Sequence, residues 1–105
     1  MTNYRQGDVA LKQLHRLPKG LKKLETLIVA QGEATGHHHK LVADRPETQI
    51  AIMEDIQGKK YIQIIGGQAR LTHQEHDTII LQPGIFEVGI EREYDPVKEW
   101  RKVID

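Results

Sequence analysis

The hydrophobic positions of the chain form short runs that alternate with polar residues. Gly and Pro recur between these runs and leave segments of about 5 to 10 residues, the length of strands rather than of ordinary helices. β-branched residues are concentrated in the same segments, as in TQIAIM, YIQII and DTIIL. The pattern therefore predicts about seven or eight short strands.

Within the predicted strands, apolar side chains recur at every second position. Val9 and Leu11 share one face of the first strand, and Ile50 and Ile52 share one face of a later strand. The predicted strands are, in order, DVALKQ, KLETLIVAQG, GHHHKLV, TQIAIME, YIQIIG, QARLTH, DTIILQ and IFEVGIEREY.

Two segments are compatible with a second conformation. LKKLETLIVAQ has apolar residues at helical spacing, but its β-branched second half favours a strand. The tail VKEWRKVID fits a last strand better than one helical turn. With 105 residues and many turns, the chain is expected to form one all-β domain, residues 1–105, built as a sandwich, jelly roll or small barrel.

Charge and cysteine content limit the classes of function that the protein can have. The 15 basic and 15 acidic residues balance, which argues against a protein that binds nucleic acid through broad neutralisation of phosphates. The absence of cysteine excludes disulfides and thiolate metal sites. No apolar run is long enough to span a bilayer, and the N-terminus has no signal-peptide core. We therefore expect a cytoplasmic protein without membrane contact, in a bacterial cell or a phage-infected host.

Five of the six histidines fall into two clusters, in GHHHKL and in LTHQEH. On an extended strand, His37 and His39 point to one side and His38 to the other. Such a pair is suited to give one metal two imidazole ligands. His73 and His76 would face apart on a straight strand, so a bend between them is required for both to turn inward.

These clusters predict a histidine-lined pocket formed by His37, His39, His73 and His76 that binds a divalent transition metal such as Zn, Mn, Fe or Ni. Glu75 and Glu33 are nearby carboxylates that can act as ligand, as second-shell partner or as general base. If the site is catalytic, the expected reaction is hydrolysis of a small phosphorylated or nucleotide-like substrate.

Two alternatives belong to other classes. Two imidazoles, one a base and one an acid, can cleave RNA or a cyclic nucleotide without a metal, and Lys40 or Arg70 would then stabilise the developing phosphate charge. The second alternative is a non-catalytic module, for instance a phage-encoded regulator of a host protein. A homodimer is the default oligomer for a β domain with exposed edges.

The order of the motifs resembles the two-motif layout of cupins. An HxH strand is followed by a later histidine and a Pro-Gly turn in HDTIILQPGIFEV. Cupins are small jelly rolls that hold Fe, Mn, Ni or Zn through three histidines and a glutamate. This chain has KLVAD where cupins have that glutamate, and Phe86 and Glu87 where they have the last histidine. The resemblance therefore implies a small jelly-roll or cupin-like fold, with metal roles for His37 and His39 before His73 and His76.

A second resemblance covers nearly the whole chain, from Tyr4 to the terminal VID. The combination YRQGDV, GEATGHHH, LTHQEH, LQPG and EREYDP is similar to a family of small uncharacterised proteins of bacteria and their phages. In that family the position of His38 is commonly occupied by another residue, which implies that His37 and His39 are the working pair. The first motif also makes Asp8 a candidate to orient one of the histidines.

Overall fold

The computed structural model describes residues 2–31 and 36–91, and within these ranges the chain forms β-strands and no helix. The ten strands are β1 (Asn3–Gln6), β2 (Val9–Leu14), β3 (Lys22–Lys23), β4 (Ile28–Gln31), β5 (His38–Ala43), β6 (Gln49–Glu54), β7 (Lys60–Ile65), β8 (Ala69–Thr72), β9 (Ile79–Leu81) and β10 (Gly84–Ile90). The predicted all-β class is confirmed. The predicted terminal strand VKEWRKVID lies outside the described residues.

The strands form two antiparallel sheets that pack as a small sandwich. One sheet has six strands in the order β1-β2-β10-β7-β6-β3, and the other has four in the order β4-β5-β8-β9. Apolar side chains from both sheets fill the space between them because each strand turns every second residue inward. The buried core consists of Val9, Leu11, Val29, Leu41, Ile52, Ile62, Ile64, Ala69, Leu71, Leu81, Phe86 and Val88. The predicted inward positions Val9, Leu11 and Ile52 are fully buried, whereas Ile50 is only partly buried.

The segment KLETLIVAQG does not form the single strand that its composition predicts. It is divided into β3, which pairs with β6 in the six-stranded sheet, and β4, which pairs with β5 in the other sheet. The residues between them carry the chain from one sheet to the other, so no continuous ladder can run through the segment. This division, together with a strand that the apolar pattern did not reveal, raises the strand count above seven or eight.

That additional strand is β1, which has the polar sequence NYRQ. It pairs with β2 in a hairpin whose turn is Gly7–Asp8, with Gln6 opposite Val9. Gly7 has φ +59°, and a glycine with positive φ at the first turn position is the pattern of type II′ hairpins. The motif YRQGDV is therefore a tight hairpin at one end of the sandwich. None of the described residues lies in a helix long and apolar enough to cross a membrane.

Two isoleucines of β7 provide a matched test of the core. Ile62 is 0% exposed and Ile65 is 48% exposed. Ile62→Ala is expected to lower the free energy of unfolding by about 2–5 kcal/mol because it leaves a cavity between the sheets. Ile65→Ala is expected to cost less than about 1 kcal/mol. Urea denaturation of both variants measures the difference, and equal losses would contradict the described packing.

Candidate functional site

The register of two neighbouring strands brings the two histidine clusters together. β5 and β8 are antiparallel, with Leu41 opposite Leu71 inside the sandwich. His39 lies two residues before Leu41 on the same face of β5. The same register places it opposite His73, just past the end of β8. Their ring centroids are 4.4 Å apart. His39 is fully buried, so the first histidine cluster reaches the interior at the point where the apolar core ends.

A bend after β8 adds the remaining histidines to the group. The chain bends at residues 74–76, and the His76 ring comes within 4.6 Å of the His73 ring, centroid to centroid, and within 6.2 Å of the His39 ring. The His37 ring lies 5.6 Å from the His73 ring. We call His37, His39, His73 and His76 the histidine cluster. The bend overcomes the strand alternation that would otherwise point His73 and His76 apart.

The other predicted site residues lie at the margin of the histidine cluster or away from it. Glu75 is exposed, with its Oε2 3.7 Å from His37 Nδ1. Lys40 is exposed and follows His39 on β5, so by strand alternation it belongs to the opposite face of the sheet. Arg70 is also exposed, 3.8 Å from Asp44. Glu33 lies outside the described residues.

His38 faces away from the histidine cluster and is held by Gln74. The His38 backbone N–H donates to Gln74 Oε1 at 2.9 Å, and Gln74 Nε2 donates to His38 Nδ1 at 3.4 Å. The middle histidine of GHHHKL is thus separated from its neighbours by the alternation of the strand, and its side chain is engaged on the outer surface.

A buried glutamine in the hairpin fixes the protonation of His39. Gln6 Nε2 donates to the backbone oxygens of Leu71 and Asp77, both at 2.8 Å, which determines the orientation of the amide. Its Oε1 therefore faces His39 Nδ1, 2.9 Å away. Because an amide oxygen can only accept, Nδ1 of His39 must carry the proton, and in the neutral ring Nε2 presents a lone pair.

The lone pair of His39 is directed to the carboxyl group of Asp8. Asp8 is 8% exposed, and its Oδ1 lies 3.3 Å from His39 Nε2. The charge of Asp8 favours a proton or another cation at His39 Nε2, whereas burial of the ring opposes protonation. The pair is therefore suited to share a cation.

Gly7 makes room for His76. A side chain at this position would place its Cβ 2.5 Å from His76 Nε2, which is closer than atoms can approach. The hairpin motif therefore contributes three residues to the site, since Gln6 orients His39, Gly7 accommodates His76 and Asp8 faces His39. The contribution of Gln6 was not predicted, because it depends on a contact between residues 33 positions apart in the chain.

His73 adopts the opposite tautomer to His39. Its Nδ1 accepts a hydrogen bond of 3.0 Å from the backbone N–H of Glu75. In the neutral ring the proton must therefore be on Nε2. The two neighbouring rings thus differ in function, since His39 offers a lone pair at Nε2 and His73 offers a proton donor there.

Burial and mutual repulsion keep both rings neutral. Burial lowers the pKa of His39, the nearby His73 lowers it further, and Asp8 partly opposes the shift. Burial also lowers the pKa of His73, as do its neighbours His76 and His37. Both rings are consequently neutral near pH 7, the form in which imidazole binds a metal or accepts a proton.

The donor atoms of the histidine cluster do not converge on one point. No group of three or more His, Cys, Asp or Glu residues in the described part of the chain is arranged to hold a metal ion. The surroundings of the rings explain this, because His39 Nε2 faces Asp8, His73 Nδ1 accepts a hydrogen bond from the Glu75 backbone and His76 Nε2 lies against Gly7. Side chains suited to bind a metal are adjacent, but they do not form a complete ligand set.

Residues 5–91 match a protein-family model described as "Domain of unknown function (DUF8820)". The matched region contains the hairpin motif from Arg5 onward, both histidine motifs and all described strands from β2 to β10. Neither the curated proteins nor the solved structures gave a match.

Substitution of Gly7 separates backbone strain from the contact with His76. Gly7→Ala and Gly58→Ala both place a side chain at positive φ, with a cost of about 1–2 kcal/mol. Gly58 has open space around it, whereas a Cβ at Gly7 displaces the exposed His76 ring. The two variants are expected to lose similar amounts of stability. The His76 imidazole NMR signals are expected to shift in Gly7→Ala and not in Gly58→Ala. An unchanged His76 signal would contradict the contact.

Stability is expected to fall on acidification. The folded-state pKa values of His39 and His73 lie below the ordinary 6.5, so the unfolded chain binds protons first as the pH drops. The contribution of these rings is complete above pH 6.5 and is lost as the pH falls below it. Urea midpoints measured in EDTA between pH 7.5 and 5 should decline in this window, and His73→Gln should make the decline shallower. An equally steep decline in His73→Gln would count against the electrostatic account.

Proposed function

The chain belongs to the DUF8820 family of domains of unknown function, and we propose that its histidine cluster and Asp8 bind a divalent transition metal such as Zn, Mn, Fe or Ni. One observation carries the proposal. His39 Nε2 is held as an unprotonated donor atom 3.3 Å from the carboxylate oxygen of Asp8, in a buried position. A metal cation between the two atoms would be attracted by the carboxylate and would accept the lone pair of the imidazole.

The separation of these atoms suits a shared metal. Two ligands bound at about 2.0–2.2 Å with a near-tetrahedral angle are about 3.3–3.5 Å apart. The hydrogen bond from His39 Nδ1 to Gln6 is the kind of outer contact that fixes the tautomer and direction of a ligating histidine. His39 and Asp8 therefore form the preset half of the proposed site.

His73 and His76 form the adjustable half. Two imidazoles on one tetrahedral metal have ring centroids about 5 Å apart, and the observed separations within this group are 4.4, 4.6 and 6.2 Å. Ligation through His73 Nε2 requires that its Nδ1 gives up the hydrogen bond from Glu75 and takes the proton. His37, beside Glu75, is the more distant histidine and stands at the rim.

The proposed activity is hydrolysis of a small phosphorylated or nucleotide-like substrate. A divalent metal supplies a Lewis acid for such a reaction. Glu75 is an exposed carboxylate next to His37 and is the described residue best suited to act as general base. Lys40 has no part in this proposal because it belongs to the outer face of the sheet.

The opposite tautomers of His39 and His73 support a second candidate, acid–base catalysis without a metal. The lone pair on His39 Nε2 can accept a proton, and the proton on His73 Nε2 can be donated, from rings 4.4 Å apart. Such a pair gives a bell-shaped dependence of rate on pH and full activity in EDTA. Activity that requires added metal would exclude this candidate.

Metal binding is tested by titration calorimetry on protein treated with EDTA and dialysed. One equivalent of Zn²⁺ or another of the four metals is expected to bind, with affinity reduced at least 100-fold in His39→Gln and Asp8→Asn because each removes a preset ligand. Gln6→Ala should reduce affinity about 10–100-fold through the loss of orientation. His38→Gln is the matched control and should bind like the wild type.

Far-UV circular dichroism of each variant shows whether it is folded. If the folded wild-type protein takes up none of the four metals, the metal proposal is refuted. If His38→Gln loses as much metal affinity as His39→Gln, the loss is not specific to the histidine cluster. Turnover of 4-nitrophenyl phosphate and cyclic nucleotides, with metal and with EDTA, separates the two catalytic candidates. If the protein takes up no metal and turns over none of these substrates, the result would favour a non-catalytic module that binds a host protein.

A further inference from the structure

A cleft opens between the two sheets, between β4 on one side and β7 and β10 on the other. Its volume is about 580 Å³, within the range of about 300–1,000 Å³ typical of small-molecule sites. Its lining includes Val29 and Gln31 of β4, Lys60 at the start of β7, and Val88 and Ile90 at the end of β10. Lys59, just before β7, also lines the cleft.

Both walls of the cleft are continuous with the strands that carry the site. On one wall, Ala30 pairs with His39 in the ladder between β4 and β5. On the other wall, Ile90 pairs with Val9, the residue after Asp8. Since directly paired residues of neighbouring strands are about 5 Å apart, a ligand in the cleft is only one strand away from His39 and Asp8.

Lys60 gives the cleft a positive charge, and Glu54 is its cross-strand neighbour in the ladder between β6 and β7. The Lys60 Nζ donates to the backbone oxygen of Val29 at 3.2 Å, where the register between β4 and β5 shifts. This hydrogen bond directs the ammonium group to the β4 side of the cleft, whereas the neighbouring Lys59 forms an ion pair with Glu87. Lys60 is partly buried, so its charge is positioned toward the cleft with two further N–H donors available.

The rest of the cleft is largely apolar. Val29 and Val88 are buried, and the side chain of Ile90 is about half exposed. A partly exposed apolar surface next to the Lys60 cation favours a ligand with the complementary pattern. Such a ligand carries one compact anionic group and an apolar or aromatic body.

We propose that this cleft binds a small amphipathic anion, with Lys60 holding the anionic group and Val29, Val88 and Ile90 contacting the apolar body. As the substrate pocket of the adjacent site, the cleft would select aryl or otherwise apolar phosphate esters over inorganic phosphate. That second role rests on the proposed function, whereas binding of the anion itself does not.

Binding is tested with two fluorescent probes of similar shape. 8-Anilinonaphthalene-1-sulfonate is anionic, and N-phenyl-1-naphthylamine is its uncharged counterpart. With protein in EDTA, Lys60→Gln is expected to weaken binding of the sulfonate at least 10-fold and to leave the neutral probe within about 2-fold, because an exchange of cation for amide affects only the charged group. Lys59→Gln removes a charge of the same sign from the cleft lining, but one that is paired with Glu87, and should change neither probe by more than about 2-fold.

A second variant keeps the test decisive if Lys60→Gln is unstable. Ile90→Ser alters an exposed apolar side chain and should weaken both probes to a similar extent. Amide NMR shifts caused by the sulfonate should map to Gly58, Lys60 and Val88. Equal effects of Lys59→Gln and Lys60→Gln, or shifts confined to other surfaces, would overturn the proposal.

The outcome is independent of metal binding. Specific binding of the sulfonate by protein that takes up no metal would retain the cleft and reject the metal site. Metal uptake by protein that does not bind the sulfonate specifically would retain the metal site and reject the cleft. Inorganic phosphate added as a competitor shows how much of the recognition comes from the anionic group alone, and displacement of the sulfonate at equal concentrations would reject the requirement for an apolar body.

Discussion

The hydrogen bond between Gln6 and His39 is the contact on which the candidate site depends. It is buried, and it joins the hairpin of the six-stranded sheet to β5 of the other sheet, the strand that carries His38 and His39. The same amide binds the backbone of Leu71 and Asp77, so one side chain connects three separate parts of the chain. Loss of a buried polar partner typically costs about 1–3 kcal/mol. A single residue therefore fixes the tautomer of His39 and links the two sheets through buried hydrogen bonds.

This dependence explains why the site lies where it does. Between the sheets, the paired leucines Leu41 and Leu71 are fully buried, and the next inward pair along the same strands is His39 and His73. His39 and His73 therefore lie next to the apolar core, between the sheets, and not on an outer surface. Burial makes the unprotonated rings the stable form, and it also makes Asp8 and Gln6 necessary, because buried polar atoms require partners. The same buried contacts therefore affect both the stability of the fold and the protonation state of the histidines.

The sequence predicted those features that depend on local periodicity. Alternation along a strand was sufficient to separate His38 from His37 and His39, and to place Val9 and Leu11 in the core. It failed for β1, whose sequence NYRQ has no apolar alternation, and for the division of KLETLIVAQG, which is imposed by the passage between sheets. The role of Gln6 and the position of Lys60 in its cleft depend on pairings between distant strands. No pattern within a single segment records such pairings.

The buried pair of His39 Nε2 and Asp8 Oδ1, 3.3 Å apart, also links metal binding to folding. A cation that binds between the two atoms is attracted by the carboxylate and bound by the imidazole lone pair. By linkage, a ligand that binds only the folded state stabilises it according to its concentration and affinity. A metal bound here would therefore contribute to folding as well as to chemistry, and Gln6, by fixing the tautomer, would determine how strongly the two are linked.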